Sequence, residues 1–171
     1  QTFKNNSSVS FVNTSVLRDG EAHEAVVTAA LFDLNDKSNT WGGGGKLAVS
    51  QIIEKTTDAG YSHLMYFGKK SGRFNFNVFQ ELTDTKFTSN DLGYFTNNNY
   101  LNHGLWMGYR WVTPGSWYNR INMNVNFNFS HLYRAISKDQ PVYQTSDYNI
   151  NVNGQLKNLW WAGFFSTYTP F

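Results

Sequence analysis

The side chains able to do chemistry are few and widely spaced. His23, His63, His103 and His131 fall on four different expected strands, and the chain has no cysteine. A zinc site needs three or four ligands to converge, and this spacing supplies no such cluster. All four histidines are therefore read as structural, with His131 following the apolar face of its strand near one end. The carboxylates Asp33, Asp36, Glu54, Glu81, Asp84 and Asp91 are scattered at turns and strand ends. Glycoside hydrolysis needs a matched acid pair, and nothing in the spacing singles one out. Asp33-Leu34-Asn35-Asp36 is similar to part of a calcium loop but lacks its Gly and distal Glu. Gly42–Gly45 reads as a flexible four-glycine turn, because no strand-to-helix context makes it a phosphate cradle. No nucleophile elbow is present among the serines. The expectation is a non-enzymatic chain with no catalytic residues, no metal and no cofactor.

The elements that would carry these side chains are strands. Between Trp117 and Tyr133 polar and apolar residues alternate almost without error. Ile121, Met123, Val125, Phe127 and Phe129 share one face; Asn122, Asn124, Asn126, Asn128 and Ser130 share the other. A period of two is the signature of a strand, whose successive side chains leave the pleat on opposite sides. The run is much longer than the usual ~5–6-residue strand of a soluble domain, and its polar face is asparagine rather than Lys, Glu and Thr. Strands of a membrane barrel, with lipid outside and a hydrated lumen inside, account for both facts. Tyr148, Ile150, Val152 and Leu156 repeat the pattern against Asn149, Asn151, Asn153 and Gln155, as do Phe74, Phe76 and Val78 against Arg73, Asn75 and Asn77.

Nine strands are expected in series: Ser8–Arg18, Ala22–Leu34, Gly44–Lys55, Tyr61–Lys69, Gly72–Leu82, Tyr100–Val112, Trp117–Arg134, Tyr143–Lys157 and Leu159–Tyr168. Turn chemistry separates them at Asp19-Gly20, Asn35–Asn39, Asp58-Ala59-Gly60, Ser71-Gly72, Pro114-Gly115 and Lys157-Asn158. Short connections make neighbours antiparallel. Apolar residues on both faces of Ala25–Leu34 and Gly44–Ile53 predict burial on both sides. Thr83–Asn99 breaks the alternation and reads as an ordered irregular loop. Gly104 and Gly108 on an otherwise polar face predict crowding there, by loops or another chain. Trp111, Trp117, Tyr133, Trp160 and Trp161 sit near strand ends, where interfacial girdles of membrane barrels lie.

Composition agrees. Of the 171 residues 18% are aromatic and only 15% charged, against a usual ~25% charged. The net charge of +2 and the lack of a basic block give no nucleic-acid footprint. No apolar run is long enough for a transmembrane helix, and the mean hydropathy of -0.49 does not argue against strands that show lipid only every second residue.

Three segments carry a family resemblance: Phe74-Asn75-Phe76-Asn77-Val78, Ser89-Asn90-Asp91-Leu92-Gly93-Tyr94-Phe95-Thr96-Asn97-Asn98-Asn99-Tyr100 and Trp106-Met107-Gly108-Tyr109-Arg110-Trp111. Asn13–Gly20, Ala30–Leu34 and Leu156–Phe165 add to it. Together they resemble an uncharacterised Gram-negative outer-membrane barrel family whose barrel follows a family-nine-type carbohydrate-binding domain. Asn90, Asp91, Leu92 and Gly93 are the most specific part. The resemblance implies an interior slice of a larger barrel, in the outer membrane and with no established activity. It implies the lipid bilayer and other outer-membrane proteins as partners.

The combined expectation is an all-β fold, an antiparallel transmembrane β-barrel of about 8–10 long strands here, forming one segment over residues 1–171 with no separate soluble domain. It would serve as a membrane-spanning scaffold or accessory of a surface or transport complex. A conduit for glycan-related nutrients is one alternative. A soluble β-sandwich that binds sugars on its aromatic and amide side chains is the other, which makes glycan a further candidate partner.

Overall fold

The computed structural model describes residues 2–3, 6–20, 22–93 and 97–170. Its strands are β1 (Thr2–Phe3), β2 (Ser7–Val16), β3 (Glu24–Asn35), β4 (Trp41–Ile53), β5 (Thr57–Lys69), β6 (Phe74–Thr83), β7 (Tyr100–Trp111), β8 (Tyr118–Leu132), β9 (Tyr143–Leu156) and β10 (Trp161–Tyr168). They form one antiparallel sheet in strict sequence order, β1 to β10. Nine strands are long and β1 has two residues. There is no α-helix among the described residues; one turn of 3-10 helix, Asn90–Leu92, lies between β6 and β7. The sheet is open, with β1 and β10 at its two edges.

The nine expected strands correspond to β2–β10, with two corrections. The four glycines are not a turn: Gly42–Gly45 run inside β4, opposite Asn35–Phe32 of β3 and Gly68–Met65 of β5. Their pairing on both flanks makes them strand residues, and neighbouring groups occupy the space that side chains there would need. A β-carbon on Gly44 would lie 2.6 Å from the Tyr66 hydroxyl, and one on Gly45 would overlap the Leu64 carbonyl oxygen. Asp58-Ala59-Gly60 is not a turn either; it opens β5, and the chain reverses at residues 54–56.

The remaining turns follow their sequence signals. Asp36 Oδ1 accepts from the backbone N–H of Thr40 at 2.7 Å and Trp41 at 3.0 Å. Those bonds, behind a larger contribution from the Ser38 hydroxyl, hold its carboxyl below the ordinary value. Gly20 and Gly72 take φ of 88°, a left-handed conformation that suits glycine.

A single sheet gives the chain little core. Ala25, Ala48, Leu82 and Phe87 are the buried apolar residues described. The double-sided burial expected for β3 and β4 is absent, since Leu31, Leu47 and Val49 are about two-fifths exposed. Among the described residues no second sheet packs on these strands. The tightest packing lies on the polar face, where Ala48, Ser50, Ser62 and Thr83 are buried and Ser62 bonds Thr83 at 3.0 Å.

Candidate functional site

Register fixes the two faces, because directly paired residues of antiparallel strands point the same way. Ile121, Met123, Val125, Phe127 and Phe129 of β8 pair with Trp111, Tyr109, Met107, Leu105 and His103 of β7. On the other flank Met123, Val125 and Phe127 pair with Val152, Ile150 and Tyr148 of β9. Tyr148 takes Phe127 and Phe129 edge-on, both at 5.8 Å, the arrangement aromatic pairs prefer. The face continues through Phe76, Val78, Phe67, Met65, Leu34 and Phe32 to Val9 and Phe11. Much of it is open: Phe11 is 80% exposed, and Leu34, Phe67, Val78 and Phe164 are exposed as well. The sheet therefore presents an apolar face that nothing in the described chain covers.

Trp111, Trp117, Trp160 and Trp161 all gather at the end of the sheet that carries the connections 36–40, 70–73, 112–117 and 157–160. Tyr133 lies at the opposite end, its N–H donating to the Asn99 carbonyl. The sequence missed Trp41 and Phe74, which join the tryptophan end; Trp41 stacks on Phe67 at 5.8 Å. Their signal was an aromatic residue immediately after a turn. His63, His103 and His131 share the apolar face near the Tyr133 end. His63 bonds Gln80 and Tyr61, and His103 lies edge-on to His131 at 6.1 Å. His23, expected on a strand, instead precedes β3 in a connection. Among the described residues no His, Asp and Glu group is placed to hold a metal ion.

The polar face is an amide ladder. Asn122, Asn124 and Asn126 stand opposite Asn153, Asn151 and Asn149, and Asn128 opposite Asp147. Asn126 donates to Asn149 at 2.7 Å, Asn122 to Asn153 at 3.2 Å and Asn153 to Asn151 at 3.2 Å. Crowding here comes from the sheet's own aromatics and from one loop. A β-carbon on Gly104 would overlap the Phe79 ring, and one on Gly108 would lie 2.8 Å from the Trp106 ring. At the Tyr133 end the β6–β7 connection folds back over the same face. Asp84 turns it by accepting from the N–H groups of Lys86 and Phe87. Phe87 then packs over Gly60 so closely that a β-carbon there would overlap its backbone, and the Thr88 N–H donates to Ser50 Oγ at 3.0 Å.

The signature Asn90, Asp91, Leu92 and Gly93 ends this crossing. Asp91 accepts from Arg18 Nη2 at 2.6 Å, and His23 Nε2 lies 3.0 Å from both of its carboxylate oxygens. Arg18 also donates to the His23 carbonyl at 2.7 Å. The loop is thereby fastened to the β2–β3 connection on the far side of β5, β4 and β3. The hydrogen bond from His23, then that from Arg18, holds the Asp91 carboxyl below its ordinary value. Residues 94–96, which extend the signature, lie outside the described residues. Arg18 and His23 went unrecognised because nothing local in the sequence ties them to Asp91.

These features define a class: an all-β, open antiparallel meander with one apolar and one polar face. The family described as a domain of unknown function, DUF5916, matches residues 1–171, and the chain belongs to it. No curated protein and no solved structure matches the chain.

Proposed function

We propose that this chain spans an outer membrane as part of a β-barrel, acting as scaffold or accessory component of a surface or transport complex and without catalysis. The observation that carries the reading is the uncovered apolar face opposite an amide-lined one. A bilayer covers the first, and a hydrated lumen suits the second. From Ile121 to His131 the strand rises roughly 34 Å, or roughly 26 Å along the normal of a barrel with ~40° tilt, close to the ~25 Å apolar band of such barrels.

Stagger supports the same reading. The hydrogen-bond row that starts at Trp41, the first residue of β4, passes Lys69, Phe76 and Met107 and reaches Val125 in mid-β8. Closure of a tilted sheet requires such an offset. The edges of β1 and β10 would have to pair within hydrocarbon, where an unsatisfied backbone group costs several kcal/mol. Further strands, from the same polypeptide or a partner, complete the ring in this reading. Short turns face the periplasm in these barrels, so the ends carrying 84–99 and 133–142 face outward. A soluble sandwich would need a second sheet over the apolar face, and all described strands lie in one sheet. The loop and ring packing on the polar face favours the scaffold over the open conduit.

Single cysteines placed from 121 to 129 in this cysteine-free chain test the proposal in intact outer membranes. A membrane-impermeant maleimide should label the even positions and spare the odd ones. Equal labelling of both sets overturns it.

A further inference from the structure

The polar face holds a feature that the scaffold reading does not use. At the tryptophan end, β5–β9 enclose a groove of about 650 Å3. Its lining combines three chemistries. Trp106 supplies an aromatic surface, resting over Gly108 with a ring atom 2.8 Å from where a β-carbon would stand. Asparagines from β6, β8 and β9 supply paired amide donors and acceptors. Lys70 and Arg110 supply positive charge, and no carboxylate is among the described lining residues.

The polar groups are incompletely used. Arg110 donates through Nη2 to the Gly72 carbonyl at 3.0 Å, which leaves a guanidinium with further donors. Lys70 reaches Asn35 Oδ1 at 2.8 Å and Asp33 at 3.4 Å, an exposed pair of the kind that contributes little. Asn75 is 7% exposed, and its carboxamide oxygen has no hydrogen-bond partner, although buried polar atoms are normally paired. An indole face matches the C–H face of a pyranose, amides match hydroxyl groups, and a guanidinium with free donors matches a carboxylate or sulfate. We infer that this groove binds an acidic saccharide, a uronate-bearing sugar chain. The inference stands on the polar face alone, whatever covers the apolar one.

The test is titration calorimetry on the intact native protein in detergent, with hexamannuronate, neutral mannohexaose and inorganic sulfate as probes. Hexamannuronate should bind at least tenfold more tightly than either of the others, with affinity falling as salt rises. Arg110→Gln should weaken it about tenfold, as expected for one charge-assisted contact, and Lys70→Gln should weaken it by a smaller factor. Trp106→Ala should weaken hexamannuronate binding as well. Equal binding of the neutral hexamer, sulfate binding as tightly as hexamannuronate, or no hexamannuronate binding overturns the inference. So does unchanged affinity in both charge variants.

Discussion

Asp91 and Arg18 are 73 residues apart in the chain, and their side chains meet at 2.6 Å. The contact joins the β6–β7 connection to the β2–β3 connection across the ends of three intervening strands. Both side chains keep some solvent contact, 33% for Arg18 and 16% for Asp91, so a discounted figure of about 1 kcal/mol fits better than the value of a buried charged pair. Asp91→Ala should therefore loosen the loop without unfolding the sheet. Hydrogen exchange should rise from Phe87 to Leu92 while β8 and β9 stay protected; unchanged loop exchange would mean that Thr88 and Phe87 hold it alone.

Acid should release the same latch. A carboxyl held below its ordinary value stabilises the folded loop above that value, and the contribution disappears as pH falls through the lowered one. The latch is fully present at neutral pH and weakens only below the ordinary carboxyl value of about 3.9. A spin label at Ser89→Cys should gain mobility in that acid range in the native chain. In Asp91→Asn it should be mobile already at neutral pH, with no further change.

The two faces of β8 should respond differently to charge. Phe127→Arg, on the apolar face, should cost about 2–4 kcal/mol if lipid covers it. Asn126→Arg, one residue away on the amide face, should cost far less. Folding titrations in lipid vesicles compare them directly, and equal costs would contradict the face assignment.

Gly104 and Phe79 form a size-matched pair on the polar face. Gly104→Val places carbon in the space of the Phe79 ring, and overpacking of this kind costs about 1–3 kcal/mol. Phe79→Ala vacates that space, so the double variant should be more stable than additivity predicts. A double-mutant cycle by urea titration measures the coupling; a value near zero would show that the ring can move aside freely.

The strands were legible because alternation is local. Ile121–Phe129 against Asn122–Asn128 announces its faces whatever the rest of the chain does. The errors arose where a glycine serves a distant neighbour. Gly42–Gly45 and Gly60 carry turn chemistry by composition, yet they are strand residues whose missing side chains make room for Tyr66, Leu64 and Phe87. The groove was legible only in parts. Trp106 and Arg110 share β7 while Lys70 follows β5, and only the register brings them together with the asparagines. Asp91 stood out through a resemblance, but its partners are 68 and 73 residues away, and no local pattern encodes such a distance.

The strict neighbour-to-neighbour order of the sheet also sets how the chain can assemble. No strand waits for a distant partner, so loop-closure entropy is met in small steps. The sheet can grow one hairpin at a time, and each arriving strand meets a finished edge. The Arg18–Asp91 contact is then a late event: it can close only after β6 is in place, when the β6–β7 connection folds back over strands already laid down.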